Sequence, residues 1–175
     1  MSEILTPNLR VLGCDPGRVN FAWAIYDDEG LGEHGLIEGA ESVERLNATA
    51  AFFERIVKFT DPDVCCMERF HQRPGKGSVK NMELVNLMIG QCRMICRVHH
   101  VECYLITASE HKTWLSSNFE VELSKKKTSS KIKKKYDITT YEEWAALPTE
   151  HEVDAANIAK YAHDHKLAHL RPLAQ

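Results

Sequence analysis

Two short apolar segments that each end in a carboxylate constrain this chain more than any other feature. Val11-Leu12-Gly13-Cys14 runs into Asp15, and Val64-Cys65-Cys66-Met67 runs into Glu68. Both read as short strands, the first stopped by the turn Asp15-Pro16-Gly17. A carboxylate at the edge of an apolar segment is costly to bury unless it is paired or holds a cation.

The remaining pattern surrounds these strands with helices. Leu9–Cys14, Phe21–Tyr26 and Leu31–Glu38 predict three strands joined by tight turns, an antiparallel meander. Helical spacing follows over Ser42–Phe59, where Val43, Leu46, Ala50, Phe53, Ile56 and Val57 share a face. Val64–Met67 and Val101–Ile106 are the fourth and fifth strands. Ser78–His99 is a long helix apolar on more than one face, the pattern of a helix buried on two sides or half of a dimer interface. Ser109–Leu115 and Thr149–Leu167 predict further helices. The order implies an α/β or α+β domain, a mixed sheet with helices on its faces.

Composition sets the remaining bounds. The 175 residues suit one domain, 1–175, and 43% hydrophobic with 27% charged residues excludes a disordered or fibrous chain. No apolar run approaches the roughly 18 residues of a membrane span, and Met1–Arg10 lacks a signal-peptide pattern. The expectation is a soluble protein with no membrane partner. The six cysteines all sit in apolar runs and read as reduced core residues. Cys92 and Cys96, with His99 and His100, form at most half of a zinc site, because structural zinc takes four such ligands.

Net charge is −3, yet the basic residues are concentrated. Lys125–Lys135 holds seven lysines and no acid, and Arg69–Lys80 holds Arg69, Arg73, Lys76 and Lys80, again with no acid. Two basic segments on an otherwise acidic chain suit local contact with a polyanion, although solvated loops have the same composition.

A third acid is out of place. Asp154 lies on the last helix amid Val153, Ala155, Ala156, Ile158 and Ala159. Each of the three acids, taken singly, could cap a helix or pair with a lysine. Together, three carboxylates from separate elements suggest a shared cation, and hard oxygen donors suit Mg²⁺ or Mn²⁺. Two such ions, spaced about 3.5–4 Å apart, support phosphodiester cleavage. His151 precedes Asp154 by three residues, shares its helix face, and is a fourth ligand or a residue that steers water.

Asp15-Pro16-Gly17 with Val19-Asn20-Phe21-Ala22-Trp23-Ala24-Ile25, then Val64–Phe70, then His151–Ala159, resemble in order the three motifs of RuvC-type Holliday junction resolvases, with the short, lysine-rich phage and viral branch nearest. The resemblance implies a ribonuclease-H-like five-stranded mixed sheet, three antiparallel strands then two parallel, flanked by helices. It implies a homodimeric, Mg²⁺- or Mn²⁺-dependent endodeoxyribonuclease that makes paired symmetric nicks in four-way DNA junctions, in the cytoplasm of a bacterial or phage-infected cell. The metal-binding catalytic residues would be Asp15, Glu68, His151 and Asp154, and a histidine there favours Mn²⁺. Phe70 would stack near the branch point, and Arg73 and Lys76 would follow phosphates. Lys112 would stand near the scissile phosphate, and Lys125, Lys126, Lys127 and Lys131 would contact DNA. Helix Ser78–His99 would make the dimer.

Other readings share parts of this pattern. A ribonuclease H or a less selective nuclease of the same fold would use the same chemistry. A non-catalytic junction-binding protein would not need all four ligands. An actin-like or sugar-kinase-like phosphotransferase would need a second domain with its own Asp-x-Gly.

Overall fold

The computed structural model describes residues 8–39, 41–69, 79–118, 124–125, 136–137 and 147–167. β1 (Val11–Pro16), β2 (Asn20–Asp27) and β3 (Gly30–Glu38) form the antiparallel meander. α1 (Val43–Thr60) leads to β4 (Val64–Glu68), and α2 (Val79–Val98) leads to β5 (Glu102–Ile106). β4 pairs in parallel with both β1 and β5, so the sheet order is β3-β2-β1-β4-β5. α3 (Ala108–Asn118) and α4 (Glu150–Tyr161) follow β5, and the two-residue strands β6 (Ser124–Lys125) and β7 (Tyr136–Asp137) pair with each other. The five-stranded mixed sheet expected from the sequence is the one observed.

Strand alternation assigns each side chain to one of two layers. Leu12, Cys14, Phe21, Ile25, Cys65 and Met67 pack with α1 and α2 in the main core. Val11, Val64, Cys66 and Ile106 face the other way, against Ile158, Tyr161 and Ala162, and the small residues Ala22 and Ala24 meet Ala155, Ala156 and Ala159 of α4. α4 lies very close to the strands. A Cβ on Gly13 would stand 2.5 Å from Ala159 N and would collide with Ala155 O, so glycine is required there by proximity.

Among the boundaries that differ from the sequence reading, two bear on the site. The first strand, expected over Leu9–Cys14, runs on through Asp15 and Pro16, which pair with Ala22 and Phe21. The hairpin closes one residue later, where Gly17 N–H donates to Asn20 O at 2.9 Å, so the ladder tolerates Pro16 at its end. The last helix, expected to reach Leu167, is α-helical only to Tyr161 and widens into a π-helical turn over Ala162–Lys166.

Candidate metal and nucleic-acid site

Asp15 and Glu68 come together through register and alternation. β1 and β4 pair from Val11↔Val64 to Cys14↔Met67, and the next step along both strands is Asp15 beside Glu68. Counting by twos from Val11 and Gly13 puts Asp15 on the α4 face, and counting from Val64 and Cys66 puts Glu68 there too. The two carboxylates therefore project from the ends of adjacent parallel strands toward one helix.

α4 supplies the other two groups. Thr149 caps it, its hydroxyl accepting from Glu152 N–H at 3.2 Å and donating to Glu152 Oε2 at 2.8 Å. Buried Glu152 also meets His34 of β3 at 2.9 Å, which ties the first turn to the edge of the sheet. That fixed turn carries His151, whose Nδ1 lies 3.1 Å from Asp15 Oδ2. One turn on, Asp154 is half-buried beside Lys112, with Nζ 3.1 Å from its carboxylate.

Lys112 reaches the site through a capping box. Glu110 accepts the Thr107 N–H at 2.6 Å, and Thr107 Oγ1 accepts from Glu110 N–H at 3.3 Å. α3 thereby starts immediately after β5 and turns His111 and Lys112 toward the acids. His111 is fully buried, with Nε2 3.0 Å from Glu68 Oε2. The sequence reading missed His111. Its signal was the Thr-x-x-Glu spacing at Thr107, which places a helix start, and so His111, in the first turn after a strand.

The electrostatics are those of a crowded acidic edge. Burial alone would raise the Glu68 pKa, but the hydrogen bond and charge of His111, with the Lys112 ammonium, outweigh it and hold the carboxyl below its usual range. Burial pushes Asp154 up; Lys112 pulls it back, Asp15 adds repulsion, and the balance remains raised. For Lys112, burial favours the neutral amine, but Asp154, Glu68 and Asp15 together keep its pKa above normal. The hydrogen bond that His151 donates to the Asp15 carboxylate raises its pKa against the opposing effect of burial.

Asp15, Glu68, His151 and Asp154, expected to be neighbours, thus stand on one edge with Lys112. Among the described residues no three of their ligand atoms fall within 4.8 Å of one another, Lys112 standing among the acids as their counter-charge. The donor set, three carboxylates and one imidazole, fits Mg²⁺ or Mn²⁺, and the mutual repulsion of Asp15 and Asp154 is what a divalent cation would relieve. Phe70, Arg73, Lys76, Lys126, Lys127 and Lys131 lie outside the described residues, and Lys125 is described only as backbone of β6.

A five-stranded mixed sheet in this order, with acids at the ends of its first and fourth strands and a closing helix above them, is a ribonuclease-H-like fold. The fold is similar to that of RuvC-type resolvases. Thermus thermophilus RuvC, solved with a Holliday junction substrate, aligns over 94% of this chain and 99% of its own with a TM-score of 0.66 at 14% identity. A second structure of T. thermophilus RuvC gives 0.61 at 17% identity over the same shares of both chains. The yeast mitochondrial Holliday junction resolvase Ydc2 gives 0.53 at 13% identity, over 90% of this chain and 77% of its own. No family model matches the sequence, and neither does any curated protein.

Proposed function

We propose that this chain is a metal-dependent endodeoxyribonuclease that resolves four-way DNA junctions by paired nicks, acting in the cytoplasm as a homodimer. The observation that carries this reading is the convergence of Asp15, Glu68, His151 and Asp154 from three separate elements on one edge, next to a lysine. These four residues would hold two Mg²⁺ or Mn²⁺ ions. Bound there, such ions supply an activated water and stabilise the leaving 3′ oxygen of a phosphodiester.

The chain's own groups do the rest. Glu68, kept ionised by His111, is ready to bind a cation at neutral pH. Asp154 is held by Lys112 in the free protein, and a divalent ion would release that ammonium toward a phosphate oxygen. His111, wholly buried, holds Glu68 by its Oε2 atom, and Oε1 would be the atom offered to a cation. The basic segments around Arg73 and Lys125–Lys135 would follow the DNA backbone, and Phe70 would stack at the branch point.

A dimer through α2 is supported by the helix's outer face. Leu87, Met94 and Val98 are exposed at 57%, 59% and 68%, and Gly90 stands among them with nothing near its missing Cβ. The stripe runs opposite the face that buries Val85, Met88, Cys92 and Cys96. Large apolar residues aligned on one exposed face mark an interaction site. Among the described residues no helix is long and apolar enough to cross a membrane.

The decisive experiment compares a labelled immobile four-way junction with linear duplex and RNA–DNA hybrid, in Mg²⁺ and in Mn²⁺, with Asp154→Asn as control. Paired symmetric nicks in the junction alone, lost in the variant, are the expected result. Preferential cutting of the hybrid would reassign the protein as a ribonuclease H. Tight junction binding without nicks in either metal would leave a binding protein.

A further inference from the structure

The opposite face of the same strands carries a second set of ligand atoms. Cys65 on β4 and Cys103 on β5 are register partners in the parallel ladder, and both belong to the layer beneath α2. Cys96, in the last turn of α2, comes down onto them. Its carbonyl accepts the Val101 N–H at 2.9 Å, which fixes the return of the chain into β5. The three sulfur atoms lie within 4.8 Å of one another, and none is in a disulfide. The thiols of Cys65 and Cys96 donate toward Cys103 and lower its pKa despite burial, while burial pushes Cys65 up and the bond to Cys103 raises Cys96. The sequence reading paired Cys96 with Cys92 and the following histidines. The fold instead joins Cys96 to two strand cysteines, Cys103 just beyond it in sequence and Cys65 well before it.

We propose that Cys65, Cys96 and Cys103 form a three-thiolate site for a soft monovalent cation of the Cu(I) class. Thiolates select Cu(I) or Zn²⁺ over the hard ions that suit the acidic edge. Structural zinc takes four ligands, and among the described residues this group offers three. The surroundings fit a buried site with one open side. Cys65 and Cys96 are fully buried among Leu12, Met88, Cys92 and Val101, while Cys103 is only partly covered. Cys103 lines a cleft with Arg93, Arg97 and His100 that borders the proposed dimer face at Gly90 and Met94 and places positive charge beside the sulfur atoms. Binding exchanges thiol protons for the cation, the protons leaving to solvent through the same cleft, and no electron is transferred.

The test uses the full chain, metal-free and under anaerobic reductant, titrated with Cu(I) held by a chromophoric bicinchoninate complex. The expected result is withdrawal of one equivalent of copper, with X-ray absorption reporting three sulfur ligands. Cys103→Ser should weaken uptake about tenfold or more, since even indirect ligand partners are worth 10–100-fold in affinity. Cys66→Ser, on the opposite face of β4, should leave it unchanged. Should the serine variant fail to fold by circular dichroism, Cys103→Ala carries the same comparison. No withdrawal of copper, uptake unaffected by either Cys103 variant, or Zn²⁺ held in preference with four ligands would overturn the proposal. None of these results depends on nuclease activity.

Discussion

The two faces of one β-sheet hold opposite chemistries here. On β1, Asp15 faces α4 and its neighbour Cys14 faces α2; on β4, Glu68 and Met67 divide in the same way. The α4 face ends in carboxylates, an imidazole and an ammonium at a partly open edge. The α2 face ends in thiols and apolar groups inside the core. Adjacent residues thus differ in donor hardness because alternation sends them into different dielectric surroundings. Charges are sustained only where they meet one another and water, whereas uncharged thiols behave as small core residues.

The sharpest way to test that division is to neutralise the hard face. Asp15→Asn or Asp154→Asn should lower junction cleavage by about 10³-fold or more, the loss of several kcal/mol of charge stabilisation. Junction binding, followed by gel shift, should be retained or strengthened because negative charge near phosphate is removed. Loss of binding in a folded Asp15→Asn protein would refute the assignment.

Gly13→Ala strikes the boundary between the faces. The added methyl would collide with the backbone of α4 at Ala155 and Ala159. Denaturant unfolding should show a loss of about 1–3 kcal/mol, as overpacking does. Cleavage should fall as well, because His151 and Asp154 ride on the displaced helix. Normal cleavage in a destabilised variant would show that the helix and strand positions are not coupled at the site.

On the interface proposed for α2, Met94→Glu should shift the dimer to monomer in analytical ultracentrifugation, with the circular-dichroism spectrum unchanged, since Met94 lies outside the core. A monomeric wild-type protein would remove the dimer reading.

The smallest effect concerns protonation. The His151 pKa is raised in the folded protein, first by its hydrogen bond with Asp15. The pairing therefore stabilises fully below the usual histidine pKa of about 6.5 and is lost as pH rises through the raised value. In metal-free melts, His151→Gln should be less stable than wild type by under about 1 kcal/mol at low pH, the exposed ring screening the pair. The difference should vanish at high pH. A gap that widens with pH would reverse the sign and reject the pairing.

Much of this molecule was legible in its residues. The apolar runs ending at Asp15 and Glu68 placed two strands and two carboxylates of the proposed site, and the i, i+3 spacing of His151 and Asp154 placed the other two candidates on one helix face. Lys112 was located only by resemblance, and the structure sets it against Asp154. His111 escaped because one buried histidine on a short helix has no periodic signature. Its role depends on where β5 ends and on the cap at Thr107. Cys65 and Cys103 escaped as a pair for a similar reason, since cross-strand neighbours in a parallel ladder are remote in sequence.

Sequence alone determined the elements, their order and the residue types at their ends, because periodicity, turns and caps are local properties of a chain. Only the tertiary structure decided which ends meet. The parallel register of β1 with β4 set Asp15 beside Glu68, and the absence of a side chain at Gly13 let α4 descend far enough to complete the site. The first contact joins residues about fifty positions apart and the second more than a hundred, and packing rather than local preference selects them.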